Sequence, residues 1–339
     1  MASSDVNYSF REKAILRSLS ENSRAPLSSV AKDAKCSRIT VVKYIRELVR
    51  RYDIRFIVEV DEDKLGFNQR HIVIVRFLKK PSMKKLKEIF CNDPLVSNAY
   101  YCEGDFGLIL HVVTPDPMDY IIWESLLPGK LGDFNVEIYP SELMLTNFGY
   151  LPISGELVYR ASKNINRMDK EIISALNKDG RASSVKLSKE LKINRTTLHY
   201  RIFTLFKKGI IKRLTIAVNR PPMDYVIAFA VNYNFNRTSQ LRAIKVRKYY
   251  QTFDKDMPLL NSFQLLAPMS GSYRFFGIGI FHNREEAIEF AIKSHREIYS
   301  EENVQIKQAR VTGLVKGLYP FRNLDMVEHY RKFEWDRNR

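Results

Sequence analysis

The sequence predicts an α+β protein in which two small three-helix modules alternate with two βαββαβ units. Three observations lead to this fold class. Residues 12–54 align with residues 169–211 without a gap, the apolar spacing changes from helical to alternating after each aligned segment, and the positive charge is concentrated in those same segments. The repeat comes first because a missed repeat changes the whole fold assignment.

Each aligned segment contains the pattern of three short helices. At a shift of 157 positions, 12 of the 43 aligned pairs are identical, several times the number that chance would give. The third helix of each copy begins after a capping residue, Ser37 or Asn194, and then carries apolar residues at i, i+4 and i+7. A short helix, a turn and a longer capped helix form the helix-turn-helix pattern. The first two predicted helices span 10–22 and 27–34 in the first copy and 167–179 and 184–191 in the second, and the third starts in the stretches 37–48 and 194–205, after Ser37 and Asn194.

The net charge of +17 is concentrated in the two helical modules. Residues 10–56 contain 12 basic and 5 acidic residues, and residues 167–213 contain 13 and 4, so these segments carry +7 and +9. Basic charge confined to particular modules indicates a polyanion as the partner. A generally basic protein would spread this charge more evenly along the chain.

The outward face of each third helix has the residue types that read DNA. Arginine can bond the paired acceptors of guanine, threonine can touch a thymine methyl, and a helix start can lie against phosphate. No acidic residue occurs between positions 194 and 208, whereas an ordinary solvated helix face usually includes glutamate. The predicted DNA-contacting residues are Ser37, Arg38, Thr40, Lys43 and Arg46 in the first copy and Asn194, Arg195, Thr196, His199, Tyr200 and Arg201 in the second.

Strands are predicted after each helical module. Residues 53–60 and 210–218 indicate the strands of a winged helix-turn-helix. The order strand, helix, strand, strand, helix, strand then predicts a ferredoxin-like sandwich with one helical face. The predicted strands are 69–78, 95–102, 106–113 and 134–145, then 225–235, 259–267, 273–281 and 303–317, and the predicted helices are 82–90, 118–127, 239–253, 284–299 and a C-terminal helix at 323–339.

These motifs together resemble the Lrp/AsnC family of prokaryotic transcription regulators, here in tandem. The family pattern is met in the second copy by Asp169, Ile173, Leu176, Gly180, Arg181, Asn194, Thr197, Leu198, Arg201, Ile202, Leu205, Gly209 and Ile211. It is met in the first copy by Ile15, Leu16, Leu19, Arg24, Ser37, Thr40, Val41, Ile45, Leu48, Ile54, Val60, Asp61, Leu65 and Gly66. The resemblance covers about residues 10–318 and divides the chain into 1–62 (winged helix-turn-helix), 63–160 (ferredoxin-like, RAM-type), 161–219 (winged helix-turn-helix), 220–320 (ferredoxin-like) and 321–339 (tail).

The resemblance implies a regulator that binds double-stranded DNA in a sequence-specific way. It also implies pairing through the ferredoxin-like domains, either within one chain as a pseudo-dimer or between two chains. The first copy has Tyr44 and Tyr52 where the second has Arg201 and Gly209, so we expect two non-identical half-sites.

The family's effector loop lies between the two middle strands of each ferredoxin-like domain. The corresponding residues are Gly104, Asp105 and Phe106 in the first copy and Gly271, Ser272, Tyr273 and Arg274 in the second. The family reads G-x-[YF]-D here, and both loops lack the aspartate at the fourth position, where they have Gly107 and Arg274. This argues against a free amino acid as the effector. Arg274 would suit an anionic small molecule. A second interpretation is that the glycines only allow a tight turn.

Other sequence features limit the remaining functions. Cys36, Cys91 and Cys102 form no metal-ligand spacing, so we expect ordinary thiols, no metal and no cofactor. No run of eighteen apolar residues occurs and the first residues lack a signal peptide, so we expect a soluble, cytoplasmic, nucleoid-associated protein without a membrane partner.

Two alternatives remain open at this point. The same architecture occurs in decarboxylases of haem and sirohaem synthesis, and His111, Tyr100, Tyr101 and Arg76 offer the required residue types. However, His71 and His111 lie in alternating strands, where packed histidines are common, and strongly basic helix faces make little sense in such an enzyme. The sequence therefore favours a protein that is not an enzyme. An architectural DNA-binding protein with little sequence preference is the third interpretation.

Overall fold

The computed structural model describes residues 9–134, 136–143, 165–218, 225–233, 263–281, 285 and 304–317. Over these residues the chain forms a helical body on a two-stranded sheet, and a closed eight-stranded barrel with helices packed outside it. The predicted helices at 239–253 and 284–299, apart from residue 285, and the C-terminal helix lie outside the described residues. Within the described part of the chain, no helix is both long and apolar enough to cross a membrane.

The two helical modules have the predicted elements, with ends within a residue or two of those expected; for the third helix of each module only the start was predicted. The first module contains α1 (Phe10–Glu21), α2 (Leu27–Asp33), α3 (Arg38–Tyr52) and β1 (Ile54–Val60). The second contains α7 (Arg167–Lys178), α8 (Ser184–Glu190), α9 (Arg195–Lys207) and β6 (Ile211–Val218). Helix α1 begins with a capping box, in which Ser9 and Glu12 each satisfy the other's backbone amide.

The strands predicted as wings are present, but their pairing differs from that of a wing hairpin. Strand β1 pairs antiparallel with β6, so that Ile57 lies opposite Thr215 and Val58 opposite Leu214. Phe56 and Leu214 each accept an amide hydrogen bond from the other module, so they are equivalent, and the pseudo-twofold axis passes through the Ile57–Thr215 pair. Each predicted wing strand therefore pairs with the strand of the other module. Val58 and Val60 pack in the core of the second module, and Ile216 packs in that of the first.

A short helix links the first module to the barrel. Helix α4 (Glu62–Leu65) begins at Asp61, whose carboxylate accepts a hydrogen bond from the amide of Lys64 at 3.1 Å. It ends at Gly66, which has a φ of +87°. A φ of this size favours glycine. The Val60-Asp61 and Leu65-Gly66 pairs of the sequence are therefore the two ends of one helical turn.

The barrel is built from two four-stranded sheets. The first contains β2 (Gln69–Phe77), β3 (Val96–Gly104), β4 (Leu108–Thr114) and β5 (Val136–Leu143), with α5 (Met83–Phe90) and α6 (Pro117–Leu131) between the strands. The second contains β7 (Tyr225–Tyr233), β8 (Phe263–Gly271), β9 (Phe275–Phe281) and β10 (Val304–Lys316). Each sheet has the spatial order second, third, first, fourth, and pairings of β5 with β8 and of β10 with β3 close the barrel.

The closure explains why β2 is a continuous apolar run and not an alternating one. Ile72 and Ile74 face the barrel interior, where they pack with Phe276 and Ile278 of the other sheet. Val73 and Val75 face outward and pack with residues of α5 and α6. A strand that is buried on both faces needs apolar residues at successive positions. The predicted sandwich is therefore covered on both faces of its first sheet.

Candidate nucleic-acid interface

Helices α3 and α9 begin at the predicted caps. The Ser37 hydroxyl accepts a hydrogen bond from the amide of Thr40 at 3.1 Å, and the Asn194 side-chain oxygen accepts one from the amide of Thr197 at 2.7 Å. These caps fix where each helix starts, and therefore which way its first turn faces. The neighbouring amides of a helix start also favour an anion such as phosphate.

The predicted contact residues divide into an exposed set and a structural set. Thr40 is half-buried, and its hydroxyl lies 2.8 Å from that of Ser37, so these two residues and Asn194 act mainly as caps. Val41, Ile45 and Leu48 on the opposite side of α3 are buried, which turns the exposed set outward. The exposed members are Arg38, Lys43, Arg46, Arg195, Thr196, His199 and Tyr200.

Arg201 differs from the other predicted contacts because its guanidinium already has partners. It lies 2.9 Å from the Asp169 carboxylate and 3.3 Å from the Asn166 side-chain oxygen, both at the start of α7. Its side chain is only 32% exposed. Arg201 therefore positions α9 against α7, and its predicted contact with DNA is not supported by this geometry. In the first module the equivalent acid, Glu12, pairs with Arg51 instead, at 3.2 Å.

The two modules are fixed to each other by bonds that cross between them. Arg24 donates to the carbonyl oxygens of Gly180 at 2.7 Å and Ala182 at 2.9 Å. The amide of Ser23 donates to Leu214, and the amide of Gly180 donates to Phe56, both at 2.8 Å. The repeat pairs Arg24 with Arg181, but Arg181 stacks over the Phe56 ring at 5.0 Å. The two arginines occupy identical positions in the sequence repeat, and the sequence does not predict that their side chains make different contacts.

Comparisons with known proteins support the helix-turn-helix assignment. A family model for winged helix-turn-helix DNA-binding domains matches residues 165–212, which are α7, α8, α9 and the start of β6. An uncharacterised HTH-type transcriptional regulator of Pyrococcus furiosus is 46% identical over 55 residues, 16% of this chain and 37% of that protein. The leucine-responsive regulatory protein of Escherichia coli is 33% identical over 78 residues, 23% of this chain and 48% of that protein. The predicted winged helix-turn-helix is thus confirmed for residues 165–212, and the chain spans less than half the length of these relatives.

A solved structure shares the fold over nearly the whole chain. The siroheme decarboxylase NirDL aligns with 95% of this chain and 97% of its own, with a TM-score of 0.55 and 17% identity. At this identity the likeness concerns the fold alone. It extends through both helical modules and both sheets.

The predicted effector loops lie where the two sheets join. The Asp105 carboxylate accepts a hydrogen bond from the amide of Gln308 on β10 at 2.8 Å, and the amide of Ser272 donates to Pro140 on β5 at 3.0 Å. A Cβ on Gly104 would lie 2.7 Å from the Gln308 oxygen, and one on Gly271 would lie 2.7 Å from the Pro140 oxygen. Both glycines therefore allow a close approach between sheets, and effector binding by these loops stays a prediction.

Of the remaining loop residues, Phe106 and Tyr273 pack in the barrel interior. Arg274 is half-buried, and its amide donates to Val231 at 2.8 Å. Packing in the barrel core therefore accounts for the residue types of Phe106 and Tyr273.

The histidines of the first sheet are buried and neutral. His71 stacks on Tyr120 with ring centroids 3.4 Å apart, and burial lowers its pKa to about 4. Burial also lowers the pKa of His111 to about 3, and its Nδ1 lies 3.5 Å from the Asn98 amide nitrogen. His71 Nδ1 and His111 Nε2 have no hydrogen-bond partner. These histidines are packed as the sequence pattern suggested.

Two exposed residues of the interface were not predicted as contacts. Ile39 on α3 is 84% exposed and Phe203 on α9 is 65% exposed. Ile39 lies four residues before Lys43 and Phe203 three residues after Tyr200, so helical spacing places both on the outward face.

Proposed function

We propose that the chain is a sequence-specific regulator of transcription of the Lrp/AsnC type that binds double-stranded DNA with α3 and α9. The observation that carries this proposal is the presentation of two capped, outward-facing helices across one pseudo-twofold axis. Helix-turn-helix proteins read DNA by placing such a pair of helices in successive major grooves. The winged helix-turn-helix match and the identity to the leucine-responsive regulatory protein support the same function.

Within this proposal, one chain supplies both recognition helices as a pseudo-dimer. The β1–β6 pairing and the Arg24 bonds hold the modules in one arrangement without a second chain. The spacing of the two half-sites is then set by one folded body, and the half-sites differ because the two helices differ. The tandem origin of the two halves and a location at the nucleoid belong to the same proposal.

The first test selects bound sites from random double-stranded DNA with the full chain. We expect one enriched, asymmetric motif, bound at least about 10³ times more tightly than unrelated DNA at the same salt concentration. Sedimentation of the complex should give one chain per motif. Absence of an enriched motif would favour the architectural interpretation, and full affinity for a perfectly palindromic minimal site would contradict two different readers.

Matched variants test the assigned surface. Arg38→Ala and Arg195→Ala should each weaken specific binding by about 1–3 kcal/mol, because a bidentate contact with guanine is lost, and each should relax the preference in one half-site only. Lys87→Ala, which removes an exposed cation from α5 on the barrel, is the control and should leave affinity unchanged. Equal losses for all three variants would contradict the assignment.

A second candidate is an enzyme acting on a tetrapyrrole. The observation that favours it is the pair of unsatisfied buried atoms, His71 Nδ1 and His111 Nε2, in a fold shared with NirDL. NirDL has also been crystallised with an iron-uroporphyrin III analogue. Against it, both histidines have lowered pKa values and Tyr100 is fully buried in the barrel core. A titration with sirohaem, followed by absorbance, should show no saturable spectral change if the regulator proposal is correct.

A further inference from the structure

The two recognition helices carry different chemistry at equivalent exposed positions. The 157-residue shift maps Lys43 onto Tyr200 and Arg46 onto Phe203. Lys43 and Arg46 are exposed on α3, and Tyr200 and Phe203 are 70% and 65% exposed on α9. The middle of the outward face is therefore cationic on α3 and aromatic on α9.

The remaining charge of α9 does not compensate for this difference. Between residues 196 and 206 the only lysine or arginine is Arg201, and it is held by Asp169. The other basic residues of the helix, Arg195 and Lys207, lie at its two ends. An outward stripe of large aromatic side chains on an otherwise soluble surface indicates contact with an apolar surface of a partner.

Two observations indicate DNA, and not another protein, as that partner. Helix α9 has the same cap and first-turn arginine as α3, Asn194-Arg195 against Ser37-Arg38. It is also fixed to α3 by the β1–β6 pair. With a duplex laid across the pseudo-twofold axis, α9 would meet it in the same orientation as α3. In a major groove, the apolar group available to Tyr200 and Phe203 is the thymine methyl.

We propose that the two helices divide recognition between them. Helix α3 neutralises phosphates through Lys43 and Arg46 and supplies most of the salt dependence, whereas α9 reads thymine methyl groups through Tyr200 and Phe203. This inference rests on the proposed function as a DNA-binding regulator. It assigns a thymine-containing half-site to α9 and a strongly salt-dependent half-site to α3.

The first experiment exchanges the two faces in the full chain. The variants are Lys43→Tyr with Arg46→Phe, and Tyr200→Lys with Phe203→Arg, and affinity for the selected motif is measured from 50 to 300 mM salt. Each phosphate contact contributes about 0.9 to the slope of log affinity against log salt. We expect the negative slope to become shallower by about 1–2 in the first variant, which loses phosphate contacts, and steeper by about 1–2 in the second, which gains them. All four positions are exposed, so thermal unfolding should be unchanged and serves as the check on folding.

The second experiment removes thymine methyl groups by placing uracil in one half-site at a time. Loss of one buried methyl group should weaken binding about fourfold. We expect this loss only in the half-site whose preference is relaxed by Arg195→Ala, and we expect it to disappear in the Tyr200→Ala, Phe203→Ala double variant. The effect of uracil in the wild-type chain minus its effect in the double variant measures the interaction between the methyl groups and the two aromatic side chains.

The outcomes separate the inference from the function on which it rests. If the wild-type chain binds no DNA in a sequence-specific way, the regulator proposal fails and this inference fails with it. If binding is specific but uracil has no effect, or both face exchanges leave the salt slope unchanged, only the division of recognition is overturned. The aromatic face of α9 would then be assigned to a protein contact.

Discussion

Alanine in place of Gly104 or Gly271 should destabilise the barrel severely. The two residues have φ values of +141° and +133°, and a Cβ on either would lie within 2.9 Å of two backbone atoms of the facing strand. The unfavourable backbone conformation costs about 1–3 kcal/mol, and the forced shift of packed backbone costs a further 1–3 kcal/mol or so. Each substitution should therefore lower the free energy of unfolding by about 2–6 kcal/mol.

Urea unfolding of the full chain, followed by far-ultraviolet circular dichroism and tryptophan fluorescence, measures this loss as a shift of the midpoint. Gly129→Ala is the matched control, because nothing lies within 4 Å of its added Cβ. Gly129 is inside α6, so alanine there should be neutral or stabilising by up to about 1 kcal/mol. Midpoints for Gly104→Ala and Gly271→Ala equal to that of Gly129→Ala would refute the close-approach argument. A role limited to effector binding would also leave these midpoints unchanged.

Three further predictions concern single side chains. Arg201→Ala should lower the free energy of unfolding, measured by urea titration, by about 1–2 kcal/mol, because the mostly buried Asp169 carboxylate loses its cation. Arg201→Lys should recover part of that free energy in the same assay. Arg24→Ala should cost about 1–3 kcal/mol in the same assay, because the carbonyls of Gly180 and Ala182 lose a charged donor. Burial lowers the pKa of His71 in the folded chain to about 4. The unfolded chain therefore binds a proton at this histidine first as the pH decreases. The free energy of unfolding should fall between about pH 6.5 and pH 4, by up to about 1.4 kcal/mol per pH unit. His71→Phe should have a shallower loss over that range in pH-dependent unfolding.

The sequence predicted those parts of the fold that depend on local interactions. Helices α3 and α9 begin at Ser37 and Asn194 because a capping oxygen acts within three residues of its amide. The strands of the first sheet were placed within two residues at most ends. The tight turns at Gly104 and Gly271 were also correctly expected to need glycine.

The parts that the sequence did not predict depend on partners that are distant in the chain. The pairing of Val58 with Leu214 joins residues that are far apart in sequence, and a strand pattern gives no information about which strand it pairs with. The same is true of barrel closure. The ion pair of Arg201 was missed for a related reason, since nothing in the sequence of α9 indicates that Asp169 lies beside it.

The distribution of identity between the two copies indicates where selection allowed them to differ. Pairs that support the frame are identical or similar, such as the buried Ile15 and Ile172 and the cap-forming Thr40 and Thr197. The outward positions 39, 42, 43 and 46 all differ from 196, 199, 200 and 203. Packing explains the first group, because a changed core residue would cost stability in either copy. It places no such limit on the second group, and under the proposed function their differences follow from what each helix contacts on DNA. A symmetric homodimer binds its site equally well in two orientations, whereas a chain with one cationic and one aromatic helix should bind an asymmetric site in one orientation.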